Sequence, residues 1–253
     1  MLRDVKDLEG YAIGATDGEL GTVKDLYFDD QQWAIRYLVV ETGGWLNGRR
    51  VLISPSAVHG VAWDKSKIDV RLTRQQVKNS PSMDTDKPVS RQHEMTFYDY
   101  YGYPYYWEGT YLWGPLMYPM YSVGASADSV PTASPPGSDD AAEERENRIE
   151  GEGEESDSHL RSCNDVIGHE TTASDGPIGR VQSFLFDDES WAIRHVIVQT
   201  GNWLPGKRVL VSPQRIQRIS WPGREVYLDM TRQQLTTGPE YADQRVPTDQ
   251  TGE

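Results

Sequence analysis

Cysteine is nearly absent from this 253-residue chain. Cys163 stands alone, which excludes an intramolecular disulfide and a cysteine-only zinc cage. Long apolar runs are missing as well. Stretches such as Leu38-Val39-Val40 fall far short of the ~20 residues that a membrane helix needs, and residues 1–10 carry no apolar secretory core. A soluble, cytoplasmic protein is therefore expected. Histidine is sparse: His59, His93, His159, His169 and His195 never fall at metal-ligand spacing, so neither a metal site nor a cofactor is expected. No catalytic motif is present either. Ser54 and Ser212 each precede proline with no histidine at a repeated distance, and the expectation is a protein that is not an enzyme. Apolar residues make up only 37%, and the mean hydropathy is -0.66. That is too polar for one compact globule, so part of the chain is linker.

What the sequence does contain is a duplication. Sliding it by 158 positions aligns residues 2–76 with 160–234 without a gap, and 32 of the 75 pairs are identical. The matches include Phe28-Asp29-Asp30 with Phe186-Asp187-Asp188, Trp33-Ala34-Ile35-Arg36 with Trp191-Ala192-Ile193-Arg194, and Thr73-Arg74-Gln75-Gln76 with Thr231-Arg232-Gln233-Gln234. Charge follows the same division. The formal net charge of -14 lies outside the copies: residues 1–80 and 160–240 are neutral, whereas 81–159 carry -12 and 241–253 carry -2. Self-repelling, solvated segments have this character. The expected organisation is a module at 1–80, a largely disordered linker at 81–159 that is first aromatic and then acidic, a second module at 160–240, and a disordered tail at 241–253.

Each module reads as short strands broken by turns, the pattern of a small barrel or sandwich. In the first copy strands are expected at 11–15, 20–28, 34–41, 50–53, 58–63 and 67–71. Thr73 with Gln76 three residues later forms a capping-box pattern, which predicts a short closing helix. The fold class expected is all-β: two small antiparallel barrels, each closed by a short helix and joined by a long, mostly irregular linker. Asp29-Asp30 and Asp187-Asp188 fall between strands and read as turn formers. Arg36 and Arg194 are expected to cap or pair with a nearby carboxylate, and Cys163 aligns with apolar Val5 as an inert thiol.

Two features are candidates for partner binding. Residues 34–40 are apolar on both faces, with Leu38 and Val40 on one side and Tyr37 and Val39 on the other. Such a strand is either covered by the closing helix or docks another module or chain; His195 replaces Tyr37 in the second copy. The other feature is the loop carrying Trp45, Leu46 and Arg49, repeated with Trp203, Leu204 and Lys207. Its Trp-Leu pair either plugs the end of the barrel or forms an aromatic anchor beside basic residues.

Several of these motifs together resemble the PRC-barrel domain. They are Leu160-Arg161-Ser162, Val166-Ile167-Gly168, Asp175-Gly176, Ile178-Gly179-Arg180-Val181, the Gly-x-Trp-Leu loop and Val209-Leu210-Val211-Ser212-Pro213, with a matching set from Leu2-Arg3 to Ser54-Pro55. That family is named for the cytoplasmic barrel of the photosynthetic reaction-centre H subunit and includes the C-terminal barrel of a ribosome-maturation factor. The resemblance implies two all-β barrels that bind macromolecules and have no active site. A non-enzymatic protein-interaction adaptor is the leading expectation, and a ribosome- or RNA-associated assembly factor is the alternative.

The linker has two characters. Twelve of residues 97–121 are aromatic, and proline and glycine interruptions argue against regular structure there. This strip either lies over an exposed apolar face of a module or is a recognition strip. Residues 122–158 turn Ser/Pro-rich and then acidic, as disordered segments do. The expected partner is a protein of unknown identity, with a module-module or homodimer contact left open. Nucleic acid is disfavoured because the modules are neutral and no basic residue falls between Arg91 and Arg145. Any membrane association would be peripheral.

Overall fold

The computed structural model describes residues 1–81, 89–119, 159–201, 207–238 and 241. The acidic half of the linker lies outside the described residues. The chain forms two compact units, and they do not coincide with the two sequence copies. Unit 1 comprises Met1, Asp7–Ser162 and Asp187–Ala192, and unit 2 comprises Leu2–Lys6, Cys163–Phe186 and Ile193–Glu253.

Unit 1 is built on strands β2 (Ala12–Ala15), β3 (Gly18–Asp29), β4 (Ala34–Thr42), β5 (Arg50–Ile53), β6 (Val58–Ala62) and β7 (Lys67–Val70). These follow the expected strands to within two residues at most ends. The sheet order is β5-β4-β3-β2-β7-β6, with β8 (Leu160–Ser162) added alongside β3. In unit 2 the strands are β9 (Glu170–Ala173), β10 (Gly176–Asp187), β11 (Ile193–Thr200), β12 (Arg208–Val211), β13 (Ile216–Ser220) and β14 (Glu225–Leu228). They are ordered β12-β11-β10-β9-β14-β13, with β1 (Leu2–Asp4) added alongside β10.

Two expectations about the sheets need correction. Neither sheet is purely antiparallel, because β2 runs parallel to β7 and β9 runs parallel to β14. Those strands are joined through the rest of their sheets rather than by a hairpin, so nothing forces them to run in opposite directions. Nor is either sheet a closed barrel. Among the described residues no ladder joins β5 to β6, which are linked instead by a 3-10 turn at Pro55–Ala57.

Register is set at close approaches. The Gly21 backbone has φ +154°, and a Cβ there would lie 2.0 Å from the Glu41 carbonyl; at Gly179, with φ +158°, it would lie 1.9 Å from that of Gln199. Only glycine lets β3 and β10 cross their partners this closely. The turn aspartates behave as expected: the Asp29 carboxylate accepts from the backbone of Gln31 at 2.8 Å and Gln32 at 3.1 Å, and Asp187 accepts from Ser190 N at 2.8 Å. Helix α1 (Arg74–Asn79) starts at the capping box of Thr73 and Gln76. A four-residue helix α3 (Cys163–Val166) follows β8, and Cys163 is buried.

Helix α2 (Arg91–Tyr101) corrects the expectation of an irregular aromatic strip. Ser90 caps its start, and its end is set by Gly102, whose φ of 67° is left-handed. The interrupting residues begin only at Gly102, which leaves 97–101 free to continue a helix. Glu94, Phe97, Tyr98 and Tyr101, spaced by three and four, are its buried face. The second copy closes with α4 (Arg232–Thr236), again from a capping box, at Thr231 and Gln234.

Candidate functional site

Tyr37 lies on the face of β4 that packs under α2, and it is fully buried. Phe97 and Tyr98 meet its ring edge-on, with centroids 5.3 and 6.4 Å away. The linker's own aromatic residues therefore cover this strand, in place of the closing helix expected for that role. A buried polar knot fastens the cover. Tyr37 Oη donates to Glu94 Oε1 at 3.0 Å and Tyr106 Oη donates to the same oxygen at 2.7 Å. Arg91 donates to Glu94 Oε2 at 3.0 Å, and His159 Nε2 lies 3.2 Å from it. The Glu94 side chain is 0% exposed and that of His159 5%.

Burial alone would lower the His159 pKa. The hydrogen bond and charge of Glu94 outweigh burial and raise it above the ordinary histidine value. Burial, reinforced by the negative charge of Glu94, pushes the Tyr37 and Tyr106 phenols well above their usual range, so both stay neutral donors.

Beside this knot Arg36 is also fully buried. It donates to Gln32 Oε1 at 2.6 Å and to the Leu112 carbonyl at 2.7 Å, and pairs with Asp29 at 3.4 Å. Its guanidinium lies over the Tyr106 ring at 3.8 Å from the centroid and over Trp113 at 4.9 Å. The expected carboxylate pairing of Arg36 is thus present, with an aromatic sandwich added. Arg194, its counterpart, is exposed.

The loop after β4 tucks inward in unit 1. Trp45 is half-buried, its Nε1 donates to the Leu20 carbonyl at 2.7 Å, and the Arg74 guanidinium sits 5.4 Å from its ring centroid. Leu46 and Arg49 are half-buried beside it. The Trp45 ring is thus tied to its own unit. Trp203 and Leu204 lie outside the described residues, and Lys207 is exposed. His195 is half-buried on β11, and burial together with neighbouring Arg194 lowers its pKa. The structure therefore brings Trp45, Leu46 and Arg49 together in one loop. Tyr37 lies in the covered interior and His195 in unit 2.

The sequence reading missed Glu94, Arg91 and His159. The 94-97-98-101 spacing was the available signal, and it was hidden because the count of aromatics drew attention away from the acid that opens the helical face. The reading also missed the segment after α2. Bridges between Tyr111 and Gly114 and between Trp113 and Leu116 fold it into tight turns. Trp113 is buried, and its Nε1 donates to the Ser190 carbonyl at 2.8 Å. From these anchored turns Tyr111, Met117 and Tyr118 project with exposures of 50%, 56% and 46%. Among the described residues no cluster of histidine, cysteine, aspartate or glutamate could hold a metal ion, and no helix is long and apolar enough to cross a membrane.

A bulged long strand leading into the apolar β4, the Trp-Leu loop, the Ser-Pro turn and the capped closing helix now stand in one unit. Residues 3–77 match the PRC-barrel domain. The match covers the first sequence copy, and the second copy repeats its strand order. The chain is also similar to an uncharacterized protein of Deinococcus radiodurans, 32% identical over 91 residues, which are 32% of this chain and 32% of that protein. It spans about a third of the length of that relative. Around the PRC-barrel match of unit 1, the linker segment 89–119 adds an aromatic cover.

Proposed function

We propose that the chain is a non-enzymatic tandem PRC-barrel protein that acts as a protein-interaction adaptor, and that unit 1 contacts its partner through the turns at 111–118. One observation carries this reading: Tyr111, Met117 and Tyr118 are exposed on a segment pinned from behind by Trp113 and by the Arg36 bond to Leu112. Large apolar side chains held out on a fixed backbone lose little entropy on binding and serve as anchors. The ionisable cluster around Glu94 supports the absence of catalysis, because Glu94, Tyr37, Tyr106 and His159 are buried and act as a fastening. Neutral copies and an acidic linker favour a protein partner over nucleic acid. The adaptor is expected to work in the cytoplasm.

The test uses the full chain carrying Tyr111→Ala, Met117→Ala and Tyr118→Ala, which should melt like the wild type. Wild type should retain a discrete protein from nuclease-treated lysate of its own cells, and the variant should lose it. Equal retention by both would refute the proposed surface. Retention that disappears with nuclease would favour the RNA-linked reading.

A further inference from the structure

The two opening strands do not complete the sheets of their own copies. β8, which opens the second copy, adds to β3 in unit 1, with Tyr27 opposite Ser162, Phe28 opposite Arg161 and Asp29 opposite Leu160. β1, which opens the first copy, adds to β10 in unit 2. These strands read Leu2-Arg3-Asp4 and Leu160-Arg161-Ser162, and so differ at one position only. The edges that receive them differ at the position facing that residue. In unit 1 Ser162 Oγ donates to Asp25 Oδ2 at 2.5 Å. In unit 2 Ser183 Oγ donates to Asp4 Oδ1. Asp25 and Ser183 are equivalent in the repeat, so the hydroxyl and the carboxylate have traded sides.

We infer that these two Ser-Asp pairs are a recognition code which makes the β3 edge select the opening strand of the second copy and the β10 edge select that of the first. Pairing each strand with its own copy would set Asp4 against Asp25. Two ionised carboxylates at that spacing repel one another. It would also place Ser162 against Ser183, losing both charge-assisted bonds. Leucine and arginine are the same in both strands and cannot discriminate, so within the three-residue strands themselves the choice rests on this one side chain. The β3 edge thus accepts a hydroxyl-bearing strand and rejects an acidic one, while β10 does the reverse.

The code predicts that moving the acid between the edges moves the strands. In the full-length double variant Asp25→Ser with Ser183→Asp, each edge matches the opening strand of its own copy. A benzophenone amino acid placed at Tyr27, opposite Ser162, reports which strand is present through cross-linking and peptide mass spectrometry. Wild type should cross-link to the peptide containing residues 160–162, and the double variant to that containing residues 2–4. A folded double variant still cross-linked to 160–162 would overturn the inference. If that variant does not fold, the melting of two others decides. Ser162→Asp alone should melt lower than the wild type, and Ser162→Asp with Asp25→Ser should recover most of the loss. Failure to recover would equally overturn it.

Discussion

Removing the Glu94 carboxylate is the most informative perturbation of unit 1. Glu94→Ala withdraws the acceptor shared by Tyr37 and Tyr106, the partner of Arg91 and the neighbour of His159. A buried donor left without an acceptor costs about 1–3 kcal/mol. Tyr37 is sealed at 0% exposure and cannot turn to water. Arg91, with its side chain 22% exposed, can do so and contributes less. Breaking a buried charged network by deleting one member typically costs about 3–5 kcal/mol, and the lower half of that range fits this partly relieved case. For a protein of this size each kcal/mol shifts melting by roughly 2–4 °C, so the transition of unit 1 should fall by about 6–16 °C. Glu94→Gln keeps the shape and one acceptor oxygen, and should lose about half as much. Calorimetry measures both variants, and amide exchange over 91–119 locates the effect. If both melt within about 2 °C of the wild type, which corresponds to under roughly 1 kcal/mol, the knot does not fasten the linker and the reasoning fails.

Three further expectations follow from individual contacts. Gly21→Ala forces a Cβ to 2.0 Å from the Glu41 carbonyl at a positive φ, and should cost at least about 3 kcal/mol in urea unfolding, with Gly179→Ala acting alike in unit 2. Trp45→Ala removes a half-buried ring and its bond to the Leu20 carbonyl; a loss of about 2 kcal/mol is expected, and unchanged melting would return this loop to the role of a partner anchor. His159 has a raised pKa in the folded state, so its contribution is complete below its unfolded value of about 6.5 and fades as pH rises through the folded value. The stability difference between wild type and His159→Gln should therefore shrink as pH rises above about 6.5. Taking that difference cancels His169 and His195, whose lowered pKa values act in the opposite direction.

The strands of both units were legible because local signals mark them: alternation, the Asp turns at 29 and 187, and the Thr-Gln capping boxes. Whether Trp45 turns inward or outward stayed open, because a glycine-bearing loop carries no information about which way its ring turns. Long-range pairings were less accessible. Nothing local in residues 2–4 says that this strand joins β10 rather than β3, since the Asp-Ser difference has meaning only once both edges are seen together. The parallel β2–β7 pairing is hidden for the same reason. Whether Tyr37 was covered or docked a partner stayed open, because its cover comes from a linker more than fifty residues later in the chain, whose composition obscured a helix with one acid on its buried face. The anchored turns at 111–118 depend on contacts from Arg36 and Ser190, which are remote in sequence.

If the partner meets the linker turns and not the Trp loop, site-specific photo-cross-linking in cells distinguishes the two surfaces. A photoreactive residue placed at Tyr118, 46% exposed, should form an adduct with one discrete protein, whereas the same residue at Trp45 should give none. An adduct formed only from Trp45, or one at Tyr118 that contains RNA, would contradict the account.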